Sequence, residues 1–338
     1  MATIETQQLD EVIASSRRRI LTMGGAALAG LAFTSMAKAQ STTLTDADYL
    51  NFALNLEYLE AEFYTLASSG QTIDQMGLGI NGTGTQGTVT VKPSGVASCK
   101  VPFANTLVQS YAQEIATEER NHVKFLRGAL GSAAVAQPAI DLYNSFNTLA
   151  GLLGLGLTSF DPFADDIHFL LGSYIFEDVG VTAYTGAAPL LTSSSNLDAA
   201  AGIQGVEAYH AGLVRTVIYG LDQSTTTLGP AGTATAVAAA ISKLRATVDG
   251  SNLISSKNTD GDDIGLGTQQ VMLNGSSNVT ASAIVNATTT GSINAATSGN
   301  TAGSMVFART APQVLAIVYA GGSGKGGFFP AGLNGNVK

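Results

Sequence analysis

"EERNHVKFLR" (Glu118–Arg127) and "VEAYHAGLVR" (Val206–Arg215) share one frame. In each, a Glu stands three positions before a His, Glu119 before His122 and Glu207 before His210, and an Arg follows, Arg127 and Arg215. At about 100° per residue, positions three apart lie on one helix face, so each Glu-x-x-His turns a carboxylate and an imidazole in one direction. The chain has only three histidines, and two of them occupy this frame.

The segments upstream repeat as well. "NLEYLEAEFY" sets Glu57 seven residues before Tyr64, and "YIFEDVGVTAY" sets Glu177 seven before Tyr184. Seven residues is nearly two turns, so each Tyr shares a face with its Glu. The order Glu…Tyr, then Glu-x-x-His…Arg, therefore occurs twice. Capping residues, glycines and prolines predict a first helix from Thr45-Asp46 to Gly70 and a second from Pro102 to Gly128 or Gly131. A third opens at Asp161-Pro162 and fades near Gly186–Pro189, and a fourth runs from about Asn196–Asp198 to Gly220. Ala234–Val248 reads as a fifth helix. Residues 71–102 are Gly/Thr-rich and suggest a loop with a short hairpin. The links read as short, long, short, which strings two antiparallel pairs into a four-helix bundle with a long crossover.

With 338 residues and 45% hydrophobic content the chain can bury a large core. A net charge of −9 with only 12% charged residues excludes a nucleic-acid footprint. One cysteine, Cys99, excludes an internal disulfide or a thiolate cluster, so a metal here is held by oxygen and nitrogen. Residues 1–39 have the layout of an export signal: "SRRRIL", an apolar Gly/Ala-rich run, then "AKA". Arg17-Arg18 after Ser16, with Ile20 and Leu21 beyond, resembles a twin-arginine signal. A periplasmic or secreted location follows as an expectation, with no membrane span in the mature chain. The division expected is 1–39 signal, 40–225 bundle and 226–338 C-terminal extension. From Ile264 to Ala308 no Asp, Glu, Lys or Arg occurs, which favours strand or coil, and the apolar tail beyond is expected to fold back on the bundle. "DGDD" (Asp260–Asp263) lacks the full pattern of a calcium loop and reads as a solvated turn.

One Glu from each of two helices plus a Glu-x-x-His from each of two others is the ligand set of di-iron and di-manganese carboxylate bundles. Four carboxylates, Glu57, Glu119, Glu177 and Glu207, balance two divalent ions, with His122 and His210 as neutral imidazoles and Glu119 and Glu207 placed to bridge. Such a donor set suits iron or manganese. Glu60 competes with Glu57 and is a candidate extra ligand, whereas Glu62 reads as solvated. Tyr64 and Tyr184 read as packing or as hydrogen-bond donors beside the ligands, His168 as structural, and Arg127 and Arg215 as partners of acidic surface groups.

On these motifs, and on "FART-x-x-QVL-x-IVY" and "GGFFP-x-GLNG" near the C terminus, the chain resembles the ferritin-like superfamily, in the exported branch related to plant desiccation-related proteins. The resemblance covers the bundle over about residues 45–222. It implies the ligand roles of the six residues above, and it implies that Glu118, just before the first Glu-x-x-His, accepts from His210 on the opposite helix. It also implies a two-ion centre reacting with dioxygen or peroxide in stress protection, with a homo-oligomer compatible. A metal store or scavenger, and a surface protein using the bundle as scaffold, are the alternatives. The extra residues after the fourth helix sit poorly with the tiling of a storage shell.

Overall fold

The computed structural model describes residues 44–222, 228–249, 263, 265–266, 268–273, 277–282, 306 and 308–338. α1 (Asp46–Ser69) starts at a capping box between Thr45 and Asp48 and stops at Gly70, whose φ of 74° is the left-handed conformation that glycine adopts without strain. α2 (Thr106–Leu130) runs antiparallel to it, with Asn51 reaching Ala133, Tyr58 meeting Arg127 and Thr65 meeting Arg120. The connection after α2 carries a short helix, α3 (Asn144–Leu152). α4 (Asp166–Ala187) and α5 (Ser194–Asp222) form the second antiparallel pair, in which Gln204 bonds Thr185 and Arg215 bonds Tyr174. The architecture is the mainly helical bundle that the duplicated motif implied.

Two helices begin later than expected. Asn105, not Pro102, caps α2, accepting from the Leu107 and Val108 N–H groups, because the Ala104 and Asn105 N–H groups are tied to the Asp166 carboxylate. Asp161 does not cap α4. It takes Lys92 at 2.8 Å and the Phe163 N–H, and Asp165 caps the helix through the His168 N–H.

The first link is long, not short, and it contains no hairpin of its own. Within residues 70–105, β1 (Val89–Thr90) pairs in parallel with β2 (Ile140–Asp141) from the connection after α2, so the two long loops bind each other. Their covering effect explains why α1 and α4 are buried around most of their circumference, whereas α2 and α5 keep solvent faces. Phe63 of α1 packs among Phe146, Phe163, Phe169 and Phe176, at ring separations of 5.2 to 5.9 Å.

α6 (Ala234–Val248) occupies the span expected of it and packs on α4 and α5. Inside the uncharged stretch, β3 (Thr268–Leu273) and β4 (Ser277–Ser282) form an antiparallel pair. α7 (Ala311–Val318) lies against α4 and α6, and the tail beyond it returns to α1, where Asn334 and Asn55 exchange hydrogen bonds of 3.0 and 3.1 Å. Phe328 enters the aromatic core beside Phe146 and Phe176.

A buried ionic network ties these later elements to the bundle. Arg245 of α6 holds Asp263 at 2.7 Å and Asp178 of α4 at 2.6 Å, while Arg309 holds Asp263 at 2.7 Å and Asp249 at 2.8 Å. Arg215 joins through Asp178 at 3.0 Å and the Gly265 carbonyl at 2.9 Å. Arg215 is therefore no surface ion-pair partner: it faces α4 and α6 and is fully buried. Asp263, expected in a solvated turn, is instead buried between two guanidinium groups. The export signal at 1–39 and Asp260–Asp262 lie outside the described residues. Among the described residues no helix is long and apolar enough to cross a membrane.

Candidate metal centre

Each of the four long helices contributes to one cluster. α1 supplies Glu57, α2 supplies Glu119 and His122, α4 supplies Glu177, and α5 supplies Glu207 and His210. None of the six is more than 8% exposed. Two groups of ligand atoms converge: Glu57, Glu119, His122 and Glu207 form one, and Glu119, Glu177 and His210 form the other, with the atoms in each within 4.8 Å of one another. Glu119 belongs to both groups, the position of a bridge. Glu207 belongs to the first alone, whereas the expectation from the motif was that it bridges as Glu119 does.

Each histidine meets the shared Glu119 and the carboxylate from the other helix of its own pair. His122 Nδ1 lies 3.1 Å from Glu57 Oε2 and 3.3 Å from Glu119 Oε2. His210 Nδ1 lies 3.1 Å from Glu119 Oε1 and 3.3 Å from Glu177 Oε2. The tyrosines cross over. Tyr64 donates to Glu177 Oε1, and Tyr184 donates to Glu57 Oε1, so each carboxylate has one oxygen fixed from outside and the other turned inward. The seven-residue spacing placed each Tyr on the face of its own Glu, but the bond is made to the Glu of the other half.

The His210 Nε2–H donates to Glu118 Oε2 at 2.7 Å. With a proton held on Nε2, a ring that gives up its other proton would turn the Nδ1 lone pair inward, the tautomer that a metal ligand needs. Opposite His122 the corresponding position is Val206, which offers no such acceptor.

Electrostatics shows what the cluster lacks. Both Glu207 oxygens are buried without a hydrogen bond, and Glu119 Oε1, Glu177 Oε2 and His210 Nδ1 are buried and meet only one another, as close charges and not as aligned hydrogen bonds. Burial pushes the Glu57 carboxyl up to about 7 against the pull of His122. Glu60 and Glu207 are raised well above the usual carboxylate range, first by burial and then by the surrounding carboxylates. Glu119 alone is held low: burial opposes its charge, but His122 and His210 outweigh burial. Burial works against a charged His122 too, yet Glu57 and Glu119 push its ring up to about 12, and Glu177 and Glu119 raise His210 likewise. The carboxylates thus demand positive charge at the two places where Nδ1 atoms point. Divalent ions there would supply it and would displace the imidazole protons, so the donor set fits a pair of hard or borderline cations.

Glu60 is buried beside the cluster but falls in neither ligand group. Glu62 is not solvated. The α1–α2 link folds over it, its Oε2 accepts the Ile73 N–H at 3.1 Å, and it is fully buried. Arg127 donates to the Tyr58 hydroxyl and to the Asn81 carbonyl at 2.7 Å, not to a surface acid. The His168 ring bonds the capping Asp165 at 2.8 Å at the start of α4, outside both ligand groups. Gly180 was missed by sequence reasoning: a Cβ there would lie 2.1 Å from Glu207 Oε2, so the glycine leaves the room in which that carboxylate sits against α4. A glycine three residues after Glu177 was the one available signal.

Comparison with known proteins agrees with this geometry. A desiccation-related protein, PCC13-62 of Craterostigma plantagineum, is 33% identical over 179 residues, which is 52% of this chain and about half (53%) of the relative. Ferritin-like catalase Nec2 of Nesocodon mauritianus is 25% identical over 298 residues, covering 86% of this chain and 84% of that one. No solved structure matches. The family model of the ferritin-like domain matches residues 45–220, the span that carries all six clustered residues, and the chain belongs to that family.

Proposed function

We propose that this protein binds two iron or manganese ions between α1, α2, α4 and α5 and uses them in redox chemistry on dioxygen or peroxide. The observation that carries the reading is the convergence of buried, inward-facing atoms on Glu119, Glu177, Glu207 and His210, with Glu119 common to both ligand groups. Bound ions of this kind would supply one-electron redox capacity. Glu57, Glu119, His122 and Glu207 would hold one ion, and Glu119, Glu177 and His210 the other. Tyr64 and Tyr184 fix the outer oxygens of Glu177 and Glu57, and Glu118 fixes the tautomer of His210. Peroxide as substrate is supported by the name of the ferritin-like catalase relative. Export through residues 1–39 is part of the same proposal.

Elemental analysis of loaded protein, followed by peroxide-consumption and ferrous-oxidation assays, tests it. Wild-type protein should hold two ions per chain, and Glu119→Ala should lose both, because both groups depend on it. A loaded wild type with one ion or none would sink the dinuclear reading.

A further inference from the structure

Between α1 and α4 a pocket leads from the surface to the cluster. Its outer end is marked by the half-buried Tyr49, Ala53, Leu56 and Ala187, and its inner end by the carboxylates of Glu57 and Glu60. The walls between are apolar. Part of the wall comes from the chain beyond the bundle: Ile317 and Val318 of α7, and Phe328 of the tail. The free space is small, enough for about three water-sized molecules by the volume one buried water needs.

These features select what can pass. A hydrated divalent cation would shed water against side chains that return no hydrogen bonds, a large penalty for an ion and a minor one for a small neutral molecule. An organic substrate of drug-like size needs a pocket of hundreds of Å³, far more than this one holds open. We propose that the α1–α4 pocket admits small uncharged molecules with an O–O bond to the centre, and that the C-terminal segment is a wall of this entry. The proposal rests on the two-ion reading above and names the substrate class and route for that site. Metal ions enter elsewhere.

Two separate variants narrow the outer end, Ala53→Phe and Ala187→Phe, both at half-buried positions outside the ligand set. Thermal unfolding establishes that each is folded, and three readouts follow. In xenon-pressurised crystals the wild type should hold xenon above Glu60 and the variants should not. Nitric oxide, a neutral diatomic probe, should reach ferrous-loaded variants roughly tenfold more slowly, an added barrier of about 1.4 kcal/mol. Ferrous loading rates should stay as in the wild type. Parallel stopped-flow runs with hydrogen peroxide and with dioxygen show which oxidant is used and should slow by the same factor. Wild-type nitric oxide rates in both variants, or a ferrous loading rate that falls with them, overturn the entry and leave the two-ion reading standing. A wild type that consumes neither oxidant, with nitric oxide still slowed in the variants, defeats the redox reading and keeps the entry. A wild type that binds no metal overturns both.

Discussion

At the scale of single residues, the centre depends on a missing side chain as much as on the ligands. Gly180→Ala would drive a methyl group into the buried Glu207 carboxylate and force it off its present position. The ion on the His122 side should then bind about 10- to 100-fold more weakly, with its neighbour much less affected, as resolved by metal titration. Glu118→Gln should produce the opposite asymmetry. It weakens the acceptor for His210 and so lowers affinity for that ion by about 10- to 100-fold, sparing the ion beside His122; unchanged affinities would make Glu118 a bystander. The sequence made the Glu-x-x-His frames and the Glu57/Glu177 register legible because each is local to one helix. Gly180 and Glu62 were not legible in the same way. What decides them is contact with another segment, α5 for one and the Ile73–Gln137 region for the other.

At the scale of elements, helix identity was readable and helix attachment was not. Thr45, Gly70 and the Ala234–Val248 span carry their own capping and composition signals. The late starts of α2 and α4 came from distant claims on their N-terminal residues, by Asp166 and by Lys92. The ionic network had no local signature at all, since Asp178, Arg215, Arg245, Asp249, Asp263 and Arg309 are scattered through the chain. It makes α6, Asp263 and Arg309 dependent on α4. Replacing Asp263 by Ala leaves two buried guanidinium groups without that carboxylate, and the expected loss is about 3–5 kcal/mol of stability by chemical unfolding. A loss below about 1 kcal/mol would mean that the network is hydrated and of little structural weight.

At the scale of the whole molecule, stability should carry a pH signature from Glu62. Burial, with help from Asp74 and against the Ile73 N–H and Gln137, lifts its carboxyl from 4.5 to about 8. Between those values the folded protein keeps a proton that the unfolded chain has released, so stability falls as pH rises through this window. Glu62→Gln removes that dependence. It should gain roughly 2–4 kcal/mol on the wild type at pH 8 to 9 and almost nothing near pH 4.5, read from unfolding curves across the range. A pH-independent difference would mean that Glu62 is ionised in the fold. The crossed tyrosines bear on the history of the molecule. Tyr64 serves Glu177 and Tyr184 serves Glu57, the reciprocal pattern of two identical surfaces meeting about a two-fold axis. A gene for one such hairpin would complete its centre only by pairing with a second copy of its product. Joining the two copies in one chain turns a concentration-dependent assembly into an intramolecular one, and it frees the halves to diverge, as Glu118 and Val206 have done.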